Sequence, residues 1–245
     1  MSEKITVVAG AAGGVGAAVC RRLLREGHTV CALDLNETEL KKLGSELGDK
    51  IHCFAGDQTD PAVMEDTVAK IETTVGPITG LANVTGWTGG TFFSAEDPDY
   101  WRKVIAINYE AALYVTAPIL KAMISRKAGS IVFVTSDAGR VGSGGQAVYA
   151  GAKGGVQAFA KSIARENARY GVTVNCIAPG PTETPLFEKA KEQAPEMIER
   201  LIKTIPLRRA ASPDDQAAAV SYFLADDANY ITGQVLSVNG GLSMA

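Results

Sequence analysis

Short apolar runs recur along the chain at Ile5–Ala9, Thr29–Leu33, Ile51–Ala55, Ile78–Asn83, Ser130–Thr135, Val172–Ala178 and Val235–Val238. They are rich in β-branched residues and lack strict apolar–polar alternation, the pattern of strands covered on both faces of a parallel sheet. Between them, helical patterns run over about 14–26, 36–47, 61–75, 99–126, 147–170 and 213–225. This alternation predicts an α/β protein with a doubly wound, seven-stranded parallel sheet and helices on both faces. No linker, charge block or repeat interrupts it, so residues 1–245 are expected to form a single domain. The stretch from about 183 to 207, with Pro185, Pro195 and Pro206, breaks the rhythm and is expected to be an insertion over one sheet edge.

Composition narrows the classes. With 46% hydrophobic and 21% charged residues the chain can build a sizeable core. Its net charge of −3 offers no basic field for nucleic acid or anionic lipid. The uncharged run Ile5–Cys20 contains Gly10, Gly13, Gly14 and Gly16 and is shorter than the ~20 residues a membrane helix needs. A cytoplasmic protein with neither nucleic-acid nor membrane partners is therefore expected. Cys20, Cys31, Cys53 and Cys176 form no C-x-x-C pair, and His28 and His52 stand apart. No metal site or disulfide framework is expected, and the cysteines read as small buried apolar side chains.

Candidate chemistry begins at Gly10-Ala-Ala-Gly13-Gly14-Val15-Gly16, between the first strand and the first helix. Glycines there permit a tight turn and close approach of a phosphate, and a helix N-terminus supplies free N–H groups. The spacing is not the strict G-x-G-x-x-G, and a purely structural turn is the alternative reading. Asp34 ends the second strand, 18 residues past Gly16. A carboxylate there can accept from both ribose hydroxyls of an adenosine and would repel an additional phosphate. Neither Leu35 nor Gly13 could neutralise that phosphate, so NAD(H) is favoured over NADP(H); a simple helix-capping or turn role for Asp34 is the alternative.

Tyr149 and Lys153 stand i, i+4 on one face of a predicted helix. A phenol normally titrates near ~10, and a neighbouring ammonium together with a cationic nicotinamide is expected to lower that value. Ser136 follows the fifth strand, at the carboxyl edge where doubly wound sheets bind ligands, and its hydroxyl could steady a developing alkoxide.

Taken together, the turn at 10–16, Asp34, Ser136 and Tyr149-x-x-x-Lys153 resemble the short-chain dehydrogenase/reductase family, a Rossmann-fold family, over essentially the full chain. The resemblance implies a catalytic tetrad of Asn108, Ser136, Tyr149 and Lys153. Tyr149 would be the acid/base, Lys153 would lower its pKa and bind the nicotinamide ribose, Ser136 would polarise the carbonyl, and Asn108 would hold a water of the proton relay. It further implies cofactor contacts from Gly10, Gly13, Gly14, Val15, Gly16, Asp34, Leu35, Asp57, Gln58 and Asn83. On the nicotinamide side it implies Tyr149, Lys153, Pro179, Gly180, Thr182 and Thr184. Two departures stand out: Asn83-Val84-Thr85-Gly86 keeps only the first Asn and final Gly of the family's Asn-Asn-Ala-Gly, and Ala9 replaces a bracing Thr.

Such an enzyme would interconvert a small-molecule secondary alcohol and ketone by hydride transfer. Expected pocket residues are Trp87, Asp137 and Gln146, with Arg140, Pro181 and the 185–205 segment nearby. Trp87 could stack on a substrate or merely anchor its loop. Gly86-Trp87, Ser136-Asp137-Ala-Gly-Arg140-Val-Gly-Ser143, Pro179-Gly-Pro-Thr-Glu-Thr184 and Ile231-Thr-Gly-Gln-Val-Leu-Ser237 resemble 2-hydroxycyclohexanecarboxyl-CoA dehydrogenases, which points to a cyclic, aryl or acyl-CoA-linked substrate. The alternative is a 3-oxoacyl-[acyl-carrier-protein] reductase, for which Lys127 matches one basic docking position while Tyr170 stands at the other beside Arg169. A catalytically silent NAD(H) sensor is a remote third reading. The resemblance also implies a homotetramer built from helices at 99–126 and 147–170 and the last strand.

Overall fold

The computed structural model describes residues 4–244. Seven strands form one sheet in the order β3-β2-β1-β4-β5-β6-β7, every neighbouring pair parallel. They are β1 (Ile5–Ala9), β2 (Thr29–Asp34), β3 (Ile51–Ala55), β4 (Ile78–Asn83), β5 (Gly129–Val134), β6 (Val172–Pro179) and β7 (Val235–Val238). Alternate side chains feed two apolar clusters. Val7, Cys31, Leu81 and Ile131 enter one, and Val8, Ala32, Ala82 and Val132 enter the other. This two-sided burial is why the central strands carry no alternation. β3 departs from the expectation: it is an edge strand, and His52 and Cys53 on it are exposed. Cys53 is thus no buried apolar side chain, whereas Cys20, Cys31 and Cys176 are.

The first cluster is covered by α3 (Pro61–Thr74), α5 (Ala111–Arg126) and α7 (Ala147–Asn167), through Ile71, Ile119 and Val156. The second is covered by α1 (Gly14–Arg25), α2 (Glu37–Leu47) and α10 (Pro213–Leu224), through Leu23, Leu40 and Phe223. Side chains start three of these six helices: Asn36 caps α2, Asp60 caps α3, and Ser212 with Asp215 forms a capping box on α10.

The predicted helix over 99–126 is three pieces: α4 (Pro98–Ile105), a π-helical turn at Ala106–Glu110, and α5. A short α6 (Ala138–Val141), below the length a periodicity can reveal, follows β5. The 183–207 stretch folds as α8 (Pro185–Gln193) and α9 (Pro195–Thr204), each opened by a proline at its first turn. Among the described residues no helix is long and apolar enough to cross a membrane.

Strand order reverses beside β1, which lies between β2 and β4. In such a sheet the ligand crevice lies beyond the carboxyl ends of the strands at that switch point. The glycine-rich turn, Asp34, Asn83, Ser136 and Pro179 all stand at those ends.

Candidate active site

The turn after β1 is pinned by backbone and side chain together. Gly10 adopts φ +80°, and both Gly10 N–H and Ala11 N–H donate to the Leu33 carbonyl, at 2.9 and 3.2 Å. A Cβ on Gly10 would lie 2.9 Å from the Thr85 nitrogen, and one on Gly16 would lie 2.0 Å from the Gly10 oxygen, so neither position admits a side chain. Asp34 Oδ2 accepts from Ala12 N–H at 3.0 Å and Oδ1 from Asn36 N–H at 3.0 Å. Asp34 therefore caps no helix; Asn36 does that for α2, and Asp34 grips the turn. Leu35 beside it is 67% exposed, and Gly13 is exposed as well.

Helix α1 begins at this turn with no capping side chain and no acid in its first turn. Its leading N–H groups and positive dipole end thus face the crevice unspent, which suits a diphosphate. Asn83 is buried; its Oδ1 accepts from Thr85 N–H at 3.3 Å while its Nδ2 has no partner. An unpaired buried donor at this edge, a turn that excludes Cβ atoms and an uncapped helix start together fit a dinucleotide. Asp57 folds its carboxylate back onto Thr59 N–H and Oγ1, at 2.9 and 2.7 Å, and buried Gln58 accepts from the Thr85 hydroxyl. Thr184 caps α8, and a Cβ on Gly14 would meet its methyl at 3.2 Å, so the segment after β6 reaches the turn beside Val15. Thr182 Oγ1 donates to Gly180 O at 3.0 Å, and Gly180 N–H donates to Val238 O.

Ser136 directly follows β5. Its Oγ accepts from Ala138 N–H at 3.1 Å, and its hydroxyl acts on the Tyr149 phenol so as to lower its pKa. Lys153, one turn along α7 from Tyr149, is buried and donates to Thr85 O at 3.0 Å and Val134 O at 3.1 Å. Its Nζ stands 5.9 Å from the Tyr149 ring centroid. Burial pushes Lys153 down to about 8. Burial raises the Tyr149 phenol, and the Ser136 hydroxyl only partly offsets this. Desolvation of the phenolate outweighs the stabilisation that this hydroxyl gives.

Asn108 occupies the π-helical turn and is 1% exposed. Its Oδ1 accepts from Trp87 N–H at 3.1 Å, and its Nδ2 donates to Trp87 O at 2.7 Å and Val104 O at 2.9 Å. The amide thus clamps the loop after β4 beneath Lys153. Trp87 is half-buried, with the Tyr100 ring at 5.8 Å and the Lys103 amine 4.1 Å from its ring centroid. Gln146 is the residue that opens α7. Asp137 is buried, and its carboxylate accepts from Ser237 and Asn239.

Sequence reasoning passed over Gln157. Its Nε2 donates to Thr135 Oγ1 at 3.1 Å and Ser136 O at 2.9 Å, fixing the backbone that carries Ser136. The spacing of Tyr149, Lys153 and Gln157 at successive i+4 positions was the signal that could have found it. Thr85, which replaces a family Ala, gained no role from the motif, yet its carbonyl holds Lys153.

A family model described as enoyl-(acyl carrier protein) reductase matches residues 10–243. The chain is 38% identical over 247 residues to nodulation protein G of Azospirillum brasilense, covering 99% of each chain. It is 35% identical over 254 residues to acetoacetyl-CoA reductase of Acinetobacter sp., covering 100% of each. It belongs to the short-chain dehydrogenase/reductase family. This short-chain dehydrogenase/reductase is also 32% identical over 241 residues to 3-oxoacyl-[acyl-carrier-protein] reductase FabG of Salmonella typhimurium, covering 98% of each. Among solved structures it is similar to an actinorhodin polyketide ketoreductase with NADPH, with a TM-score of 0.94 and 31% identity over 98% of this chain and 97% of that one. The protein is a nicotinamide-dependent oxidoreductase acting on ketone and alcohol groups.

Proposed function

We propose that this enzyme interconverts a ketone and a secondary alcohol on an acyl thioester, in the first instance a CoA thioester, using NAD(H). The observation that carries the reading is the convergence of Ser136, Tyr149 and Lys153 on the crevice that the uncapped α1 and Asp34 also face. A bound nicotinamide supplies the hydride for ketone reduction, or accepts it in the reverse direction. The protein's own groups handle oxygen and proton. The Ser136 and Tyr149 hydroxyls donate to the carbonyl oxygen and stabilise the developing alkoxide. The raised phenol is held as an acid, the state reduction requires, and delivers its proton to that oxygen. The Lys153 ammonium supplies positive charge beneath the phenol as this proton leaves. Asn108 holds Trp87 and the loop after β4 in place, and Gln58 and Asn83 support the adenosine half.

The preference for NAD(H) is supported by the carboxylate of Asp34, with exposed Leu35 and Gly13 offering no cation to a ribose phosphate. Helices α8 and α9 would cover the substrate, with Trp87 and Gln146 on its wall. Assembly as a homotetramer is part of the proposal, supported by exposed Tyr230 and by Leu236 on the edge strand β7.

A carrier-linked substrate is the second reading, favoured by the likeness to the FabG reductase. The basic face it needs is thin: Lys127 stands at one docking position, and at the other Tyr170 carries the Arg169 guanidinium over its ring at 4.7 Å.

The test is steady-state reduction of acetoacetyl-CoA, of the same acyl group on a carrier protein and of a cyclic 2-oxoacyl-ring CoA ester, each with NADH and NADPH. Efficient NADH-dependent turnover of a CoA ester supports the proposal. A preference for NADPH with the carrier-linked substrate would establish the second reading instead.

A further inference from the structure

We propose that Asp137 is a positioning residue that locks the catalytic Ser136 loop to the C-terminal segment 235–243, so that the placement of the Ser136 hydroxyl depends on how that segment is seated. The proposal rests on the reading of Ser136 as a hydroxyl donor to substrate.

Asp137 is adjacent to Ser136 and 5% exposed. A buried carboxylate is costly unless hydrogen-bonded donors surround it. Here the side-chain donors come from one segment, about 100 residues away in sequence: Ser237 Oγ donates to Oδ1 at 2.6 Å, and Asn239 Nδ2 donates to Oδ2. Arg140, on the helix that Asp137 starts, closes the same link from its other side, donating to Ser237 Oγ at 2.8 Å and Val235 O at 3.3 Å. The Asp137 backbone meanwhile donates to Pro179 O at 3.2 Å. Residues 136–140 thus bond along β6 and β7 at their carboxyl ends, where the crevice lies.

The segment carries this link onward. Asn239 also donates to Ser243 O at 2.8 Å and accepts from Gly241 N–H at 2.9 Å. Gly240 O accepts from Leu207 N–H at 3.1 Å, three residues beyond the end of α9. The segment just beyond α9 and the loop that carries Ser136 therefore share one hydrogen-bonded connector. Displacing the connector moves a hydroxyl whose effect depends on sub-ångström placement.

The chemistry of the pair suggests a swap. Asp137→Asn leaves one acceptor where two donors, Ser237 and Asn239, need one each, and so weakens the link. Adding Asn239→Asp restores a donor–acceptor pair with the direction reversed and keeps the acceptor for Gly241 N–H, but it sets a carboxylate oxygen against the Ser243 carbonyl, so the rescue is partial. The experiment compares wild type, Asp137→Asn, the Asp137→Asn/Asn239→Asp double variant, Ser237→Ala and Ser136→Ala. It measures kcat and KM for acetoacetyl-CoA reduction, NADH affinity by fluorescence, and thermal melting to confirm folding.

The expected result is a fall in kcat of about 10- to 100-fold for Asp137→Asn, with KM and NADH affinity within about threefold, and partial recovery in the double variant. Ser237→Ala, which removes one donor and leaves Asn239, should show a smaller fall in kcat and serves if Asp137→Asn does not fold. Wild-type kcat in folded Asp137→Asn or Ser237→Ala overturns the inference while Ser136→Ala remains inactive. Wild-type turnover by Ser136→Ala would overturn the reading of Ser136 itself, and this inference with it.

Discussion

Lys153 Nζ donates to the carbonyl of Thr85 at 3.0 Å, joining α7 to the loop after β4 across 68 residues of chain. The ammonium lies in the interior, and burial holds its pKa at about 8 instead of the ordinary 10.5. The folded protein therefore releases this proton before the unfolded chain does. Below about pH 8 both states are protonated and the cost of burying the charge is present in full. As pH rises from about 8 towards 10.5 that cost is relieved, so this group's contribution favours folding increasingly.

Replacing Lys153 by Met should remove this pH dependence. Chemical denaturation of wild type and Lys153→Met at pH 7 and pH 9 should show the wild type gaining about 1 kcal/mol relative to the variant over that interval. Comparing the two proteins cancels the buried Cys20, Cys31 and Cys176, which are pushed up to about 12 and favour folding less as pH rises through that higher range. A constant difference between the proteins would contradict the burial of a charged amine.

Asn108 spends its amide on three backbone groups, the N–H and C=O of Trp87 and the C=O of Val104. Asn108→Ala leaves them without that partner in a buried setting. A loss of about 1–3 kcal/mol in stability is expected, with a parallel fall in turnover as the Trp87 loop loosens. Unchanged melting and unchanged kcat would show that the clamp is dispensable.

Asp34 binds Ala12 N–H and Asn36 N–H with separate oxygens. Asp34→Ala removes both a turn contact and the charge that opposes a ribose phosphate. The ratio of kcat/KM for NAD⁺ to that for NADP⁺ should fall by at least about tenfold, the equivalent of ~1.4 kcal/mol. An unaltered ratio would place discrimination elsewhere in the crevice.

The sheet was legible because its central strands are buried on both faces and bounded by glycine and polar turns; β3, an edge strand with His52, Cys53 and Ala55 exposed, kept enough Ile, Cys, Phe and Ala to read as buried. The serine, tyrosine and lysine could be read because a spacing of four along a helix and a position just after a strand are local facts. What could not be read depends on distant partners. Asp137 looked like a pocket residue because it follows Ser136, but Ser237 and Asn239 claim its carboxylate from the far end of the chain. The partners of Lys153 are likewise distant: its amine donates to Thr85 O and Val134 O, 68 and 19 residues away in the chain. The π turn at Asn108 has a helical sequence pattern, and its distortion arises where Asn108 bonds Val104 and Trp87.

Proton transfer by Tyr149 is tested most directly by the Tyr149→Phe variant, which keeps the ring and removes only the hydroxyl. Turnover of acetoacetyl-CoA and NADH binding should be measured side by side on the wild type and this variant. We predict a loss of kcat of at least about 1,000-fold with NADH affinity within about threefold of wild type. A folded Tyr149→Phe enzyme that turns over within tenfold of the wild type would contradict the account.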